Sequence, residues 1–71
     1  MLEDWQLLGD RLTALRHERG MTQDQLAWLA GHTPKTIRDI ERSRSHPYLD
    51  TVGDIAWALR IDLDLLVARV T

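Results

Sequence analysis

The stretch MTQDQLAWLAGHTPKTIRDIER, residues 21–42, contains two short apolar segments separated by Gly-His-Thr-Pro. Thr22 suits the N-cap of a helix, and Gln25, three residues later, completes a capping box. This helix is predicted from about Gln23 to Ala30. Gly31 follows directly, and glycine is the usual residue just after the end of a helix.

A second helix of this stretch begins after the break. Thr33 is a second N-cap, and Pro34 takes the first helical position, where its missing N–H costs nothing. The helix is predicted over about residues 34–42, with Ile37 and Ile40 on its inner side. Two helices joined by a turn of three or four residues with Gly form a helix-turn-helix. Its second helix can project from the body of the domain and enter the major groove of DNA.

Helical spacing of apolar residues predicts three further helices. The first helix covers roughly residues 4–19, the fourth runs from Leu49 or Asp50 to Leu59, and Asp62 caps the fifth. The predicted inner positions of all five helices are Trp5, Leu8, Leu12, Leu15, Leu26, Ala27, Ala30, Ile37, Ile40, Glu41, Val52, Ile55, Ala56, Leu59, Leu63, Leu66, Val67 and Val70. No strand pattern or linker interrupts them, so the sequence predicts one all-α, five-helix domain over residues 1–71, with the motif at about 23–42.

Composition excludes several classes of protein. The 71 residues include no cysteine, so disulfides, thiol nucleophiles and thiolate metal sites are absent from the chain. No segment approaches the roughly 20 apolar residues of a membrane span, and no signal peptide opens the chain. We therefore expect a cytoplasmic location and no membrane partner. The three histidines lack metal-ligand spacing, and no nucleophile–base pair or Gly-rich phosphate loop is visible, so we expect no enzyme, metal or cofactor.

Charge is distributed unevenly along the chain. The net charge of −2 argues mildly against a nucleic-acid partner. Residues 31–48, however, carry four basic and two acidic side chains, which gives this segment a net charge of +2. The positive charge therefore lies just past the break, although a fluctuation of this size is also common in a short segment.

At these residues the chain resembles the Cro and phage-repressor type of helix-turn-helix, also called the XRE family. The family pattern is Leu-x-x-Leu-Arg-x-x-x-Gly, apolar-Thr-Gln-x-x-Leu-Ala, Gly-x-(Ser/Thr)-x-x-(Ser/Thr)-Ile-x-x-(Ile/Leu)-Glu, then Pro-x-x-x-Thr and Ile-Ala-x-Ala-Leu. It is matched by Leu12, Leu15, Arg16, Gly20, Met21, Thr22, Gln23, Leu26, Ala27, Gly31, Thr33, Thr36, Ile37, Ile40, Glu41, Pro47, Thr51, Ile55, Ala56, Ala58 and Leu59. The resemblance covers about residues 8–66 and implies a lambda-repressor-like domain with residues 34–42 as the recognition helix.

The resemblance also implies a set of DNA contacts. The candidate base readers are Pro34, Lys35, Thr36, Arg38 and Asp39. The candidate phosphate contacts are Gln23, Thr33, Arg42, Arg44, Ser45 and His46. Each of these roles has a structural alternative. Gln23 could be a surface residue with a capping role and no phosphate contact, and Asp39 could pair with Lys35 along the helix. The segment after the recognition helix can also be a solvated loop.

A buried ion pair between Arg16 and Glu41 is a further implication of the resemblance, against the alternative of two independent surface charges. Two departures from the family pattern stand out. Ser43 and Arg60 occupy positions where the family commonly has Gly. A left-handed backbone at Ser43 would cost about 1 kcal/mol, unless the loop differs.

Trp28 and Trp57 fall where the family commonly has exposed polar residues. They either cover each other or the ends of neighbouring helices, or belong to a surface for a protein partner. That candidate surface consists of Trp28, Leu29, Trp57, Leu65, Leu66 and Val70.

The sequence therefore favours a DNA-binding regulator, in outline a repressor that binds a palindromic operator as a homodimer. An antitoxin of a toxin–antitoxin pair and a protein–protein adaptor without base readout are the alternatives. The acidic balance, Asp39 and the extra tryptophans favour the adaptor, whereas a DNA reader needs Lys35, Arg42 and Arg44 on one positive face.

Overall fold

The computed structural model describes residues 4–67, with side chains described from residue 7 onward. Five helices and no strand occupy this range, which confirms the predicted all-α class. The helices are α1 (Asp4–Glu18), α2 (Gln23–Ala30), α3 (Pro34–Glu41), α4 (Leu49–Leu59) and α5 (Leu63–Val67). None of these helices is long and apolar enough to cross a membrane.

Local capping produces the two helices of the motif. The Thr22 side chain accepts a hydrogen bond from the backbone N–H of Gln25 at 3.0 Å, and the Gln25 side chain accepts one from the backbone N–H of Thr22 at 2.8 Å. Thr33 accepts from the backbone N–H of Thr36 at 3.2 Å, and Pro34 lies in the first turn of α3. The predicted bounds of α2 are confirmed, and α3 ends one residue earlier than predicted, with Arg42 as its C-cap.

The core fills the space between all five helices. α1 packs against α3 and α5, and α4 packs against α2 and α5. The largest fully buried side chains of this core are Leu12, Leu26, Ile37, Ile40, Ile55, Leu59 and Leu66. Val67 is predicted from the sequence to face inward, but it is 40% exposed. The other helices fully cover only Leu66 among the residues of α5, and the neighbouring Val67 points to a different side of the helix. The predicted inner position Val70 and the side chain of Trp5 lie outside the described residues.

Ser43 and Arg60 adopt the left-handed conformation that the family pattern assigns to glycine, with φ of 58° and 60°. In both places the chain reverses directly after a helix: the N–H of Arg44 bonds to the carbonyl of Asp39 at 2.7 Å, and that of Ile61 to the carbonyl of Ala56 at 3.0 Å. These bonds satisfy helix-end carbonyls that would otherwise lack partners. The turn is thus retained at a cost of about 1 kcal/mol for each non-glycine residue.

Gly9 marks a close approach between α1 and the end of α3. A Cβ atom built there would lie 2.6 Å from the carbonyl oxygen of Ile40 and 2.9 Å from that of Glu41. Both contacts are with backbone atoms, which cannot rotate away as a side chain can. The absence of a side chain at Gly9 therefore sets how closely α1 can approach the end of α3.

Gly9→Ala is accordingly expected to lower the free energy of unfolding by about 1–3 kcal/mol, because α1 must move away from α3. Gly53→Ala is the matched control: a Cβ atom at this mid-helix glycine meets no atom of the described part of the chain within 4 Å. We expect it to raise stability by roughly 0.5–1 kcal/mol through helix propensity. Urea denaturation at low protein concentration measures both, and equal effects at the two glycines would contradict the close approach.

Candidate nucleic-acid interface

α3 presents a polar face to solvent and an apolar face to the core. Ile37 and Ile40 are buried against the other helices. The residues predicted to read bases lie elsewhere on the helix surface: Pro34 and Lys35 are exposed, whereas Thr36, Arg38 and Asp39 are partly exposed. The outer side of α3 thus carries hydrogen-bond donors, an acceptor and a methyl group, which are the groups that recognise base edges.

Lys35 and Asp39 form an ion pair one turn apart, with 2.7 Å between the lysine Nζ and the aspartate Oδ2 atoms. The hydrogen bond from Lys35 lowers the pKa of Asp39 below its ordinary value; burial opposes this, and the charges of Lys35, Arg38 and Arg44 add to the lowering. Asp39 is therefore an ionised acceptor surrounded by cations. The intrahelical pair considered as an alternative from the sequence is present, and it leaves the lysine side chain 75% exposed.

The segment after α3 turns back so that Arg44 lies close to Asp39. Because of the left-handed turn at Ser43, the backbone N–H of Arg44 reaches the carbonyl of Asp39. Arg42, Arg44 and His46 are exposed and Ser45 is partly exposed. The structure therefore places Arg44, a candidate phosphate contact, beside the candidate base reader Asp39 near the carboxyl end of α3.

The Arg16–Glu41 pair implied by the resemblance is present and buried. Arg16 Nε donates to Glu41 Oε2 at 2.7 Å, and Arg16 Nη2 donates to Glu41 Oε1 at 3.1 Å. The two side chains are only 10% and 6% exposed. Arg16 Nη1 also donates to the backbone carbonyl of Met21 at 2.8 Å, which ties the α1–α2 connection to the pair. This two-pronged geometry links α1 to the end of α3.

Gln23 joins the same network, a role that sequence reasoning missed. Its Nε2 atom donates to Glu41 Oε1 at 3.0 Å, so Glu41 binds groups from the first turn of α2 as well as from α1. Burial alone raises the pKa of Glu41, but the hydrogen bonds from Arg16 and Gln23 and the charge of Arg16 outweigh it, and the pKa lies below its ordinary value. The bond also holds the Gln23 side chain at the start of α2, where the helix N-terminus favours an anion.

His32, which lies within the positively charged segment 31–48, bonds to Asp54 of α4. Its Nε2 atom lies 3.0 Å from Oδ2 of Asp54. Arg19 makes a second such tie, since its Nε donates to the carbonyl of Leu59 at 2.9 Å. The sequence gives no local signal for the His32–Asp54 or the Arg19–Leu59 contact, because the two residues of each pair are more than 20 positions apart.

The candidate partner surface is corrected by the structure. Leu66 is fully buried in the core and belongs to no exposed surface, and Val70 lies outside the described residues. Trp28 and Trp57 are 82% and 66% exposed, so neither is covered by the other or by the helix ends. Trp28 borders an open groove of about 530 Å³ whose lining is completed by Arg19, Gly20, Met21, Asp24, Gln25 and Leu29.

Comparison with known proteins agrees with this architecture. Residues 7–68 match the family described as a helix-turn-helix domain. The chain belongs to this helix-turn-helix family. Its resemblance to the Cro and phage-repressor (XRE) type is supported by a relative in Bacillus phage phi105, an immunity repressor protein that is 41% identical over 64 residues. That match covers 90% of this chain but 44% of the repressor, so the chain spans less than half of that relative's length.

Two solved structures share the fold over nearly their whole chains. The restriction-modification controller protein C.AhdI from Aeromonas hydrophila has a TM-score of 0.86 and 32% identity, and the alignment covers 89% of this helix-turn-helix chain and 96% of C.AhdI. The P22 c2 repressor, solved in complex with a synthetic operator, has a TM-score of 0.82 and 28% identity, with the same coverage of each chain. The lambda-repressor-like fold is thereby confirmed.

Replacing Glu41 tests the network that holds α3. Since its pKa is lower in the folded chain, Glu41 contributes stability that is present above the unfolded pKa of about 4.3 and is lost as the pH falls through the folded pKa. Glu41→Gln is expected to lower the free energy of unfolding at neutral pH by roughly 3 kcal/mol, because the buried charge of Arg16 is left without an opposite charge. The difference from the parent should shrink on acidification.

Urea denaturation between neutral pH and about pH 3 checks this, a range that spans the titration of an ordinary glutamate. Asp64→Asn, which neutralises an exposed carboxylate on α5, is the control and should change stability at neutral pH by no more than about 0.5 kcal/mol. A constant gap between Glu41→Gln and the parent at every pH would contradict the assignment.

Proposed function

We propose that this helix-turn-helix domain is a sequence-specific DNA-binding transcriptional regulator, a repressor that binds a palindromic operator as a homodimer in the cytoplasm. The observation that carries the proposal is the outer face of α3, where Lys35 is paired with Asp39 and Arg44 lies beside Asp39. Thr36 is partly exposed on the same helix, and Arg42 is exposed at its end. The proposed role requires no catalysis and no cofactor. The phage immunity repressor relative and the operator-bound P22 c2 repressor support it.

In the proposed complex α3 lies in the major groove, which admits one helix. Lys35 donates to O6 and N7 of a guanine, Asp39 accepts from N4 of a cytosine, and the methyl group of Thr36 contacts a thymine methyl. Pro34 and Arg38 complete the base-reading set. Because Lys35 and Asp39 are paired in the free protein, a neighbouring guanine and cytosine can engage both without leaving either charge unpartnered.

The phosphate contacts frame α3 at both ends. Gln23 and Thr33 lie at the starts of α2 and α3, where helix N-termini favour anions. Arg42, Arg44, Ser45 and His46 lie at or beyond the end of α3 and supply the positive charge. Such contacts set register and affinity without reading sequence. Two copies related by a two-fold axis would place their recognition helices about 34 Å apart, one turn of DNA.

The first test is binding to a fluorescent duplex from the DNA upstream of the chain's own gene, at about 50 and 200 mM salt, with random duplex as competitor. We expect tight binding that survives the competitor and weakens steeply with salt, because phosphate contacts release counterions. If random duplex displaced the protein as readily as the upstream duplex itself does, specific recognition at that site would be contradicted.

Two single substitutions separate the proposed roles. Lys35→Ala should cost about 1–3 kcal/mol against the preferred base pair and relax specificity at that position. Arg44→Ala should weaken binding to all sequences alike and reduce the salt slope by about 1. Competition titrations with single-base-pair operator variants measure both. If Arg44→Ala changed the sequence preference and Lys35→Ala weakened binding to all sequences alike, the proposed roles of the two residues would be reversed.

The groove beside Trp28 favours a second candidate function, the binding of a protein partner by an antitoxin or an adaptor. Trp28 is 82% exposed, and exposed aromatic side chains are enriched at protein interfaces. An adaptor would keep its partner affinity when Lys35, Arg42 and Arg44 are neutralised together, whereas a DNA reader would lose operator binding. Neutralising these three residues therefore discriminates the two functions.

A further inference from the structure

The outer face of α4 carries an apolar stripe that no other part of the described chain covers. Leu49, Gly53 and Trp57 are spaced by four residues and therefore lie along one side of the helix. Leu49 is 67% exposed and Trp57 is 66% exposed. The opposite side of the same helix is buried through Val52, Ile55, Ala56 and Leu59.

Gly53, at the middle of this stripe, has no explanation among the described residues of one copy. Glycine in a helix interior costs roughly 0.5–1 kcal/mol relative to alanine. Gly53 does not have a positive φ, and a Cβ atom built on it would meet no atom of residues 7–67 within 4 Å. Gly9 shows the contrast, since a neighbouring backbone lies against it. The flat surface at Gly53 is therefore available to something outside the chain.

The charges on this face are arranged symmetrically about its middle. Asp50 lies in the first turn of α4, and Arg60 is its C-cap. Gly53 and Trp57 lie between them, each two residues from the level of Ile55, while Asp50 and Arg60 are each five residues from that level. A two-fold axis that crosses the outer face at the level of Ile55 along the helix would bring Trp57 of one helix opposite Gly53 of another. The same operation would bring Asp50 opposite Arg60 at both ends.

We propose that α4 pairs antiparallel with α4 of a second copy of this chain, with each Trp57 indole lying on the partner's Gly53 and each Arg60 paired with the partner's Asp50. This interface rests on the proposed function and gives its homodimer a location. A second copy is the occupant because Trp57 finds Gly53, and Arg60 finds the oppositely charged Asp50, at the mirrored positions of the same sequence, as in an isologous interface. The candidate DNA contacts, none of which lies on α4, remain uncovered.

The first experiment measures the dimer dissociation constant by sedimentation across a wide concentration range, with the full chain. Trp57→Ala is expected to weaken the dimer by about 10- to 30-fold, as removal of a central aromatic anchor does. Trp28→Ala removes an even more exposed tryptophan from α2 and is the matched control, with no expected change. Both side chains are largely exposed, so circular dichroism should show both variants folded.

The second experiment tests the antiparallel register. Asp50→Arg alone places two arginines together at each end of the interface, and Arg60→Asp alone places two aspartates there. Each variant is therefore expected to dimerise at least tenfold more weakly than the parent. An equimolar mixture restores opposite charges at both ends of a mixed pair, so we expect heterodimers of near-parental affinity. Absence of recovery in the mixture would overturn the proposed register.

These outcomes separate the interface from the proposed function. A dimer that is indifferent to Trp57→Ala and to the charge variants overturns the α4 interface and leaves the regulator intact. A chain that stays monomeric, even at millimolar concentration and on DNA, overturns the interface together with the homodimer. A dimer that depends on Trp57 and on the charge register, yet binds no DNA specifically, supports the interface and overturns the regulator.

Discussion

The buried pair between Arg16 and Glu41 is the interaction on which the position of α3 depends. It joins α1 to the last residue of α3 with two short hydrogen bonds, and Gln23 adds a third bond from α2. Removing a charge from water is costly, so the pair contributes more to the orientation of the helices than to net stability. Gly9 completes the arrangement, because its missing side chain lets α1 approach the α3 carbonyls that surround Glu41.

A fixed α3 matters because recognition of base edges requires side chains held in a defined place. Its outer face combines an ionised aspartate with several cations, although the whole chain has a net charge of −2. The left-handed turn at Ser43 places Arg44 beside Asp39, so part of the positive field results from chain reversal after the helix. A local concentration of positive charge, rather than the overall balance, attracts the phosphate backbone.

The two proposed surfaces use different helices and different physics. Recognition of DNA by α3 relies on charge and hydrogen bonds, whereas the α4 pairing relies on an aromatic ring over a glycine, with charges at its rim. Placing them on separate helices lets one surface change without loss of the other. The groove at Trp28 lies on neither α3 nor α4, since its lining comes from α2 and the residues that precede it.

The sequence by itself determined the five helices, their caps and the helix-turn-helix, because these follow from side-chain spacing and from hydrogen bonds between neighbours in the chain. It also indicated the Arg16–Glu41 pair, through a family pattern, whereas the assigned DNA contacts remain predictions. Only the tertiary structure decided that Leu66 is buried, that Val67 and both Trp28 and Trp57 are exposed, and that Gln23 bonds to Glu41. Periodicity defines a face of a helix, but which neighbours cover that face depends on contacts between residues far apart in the chain.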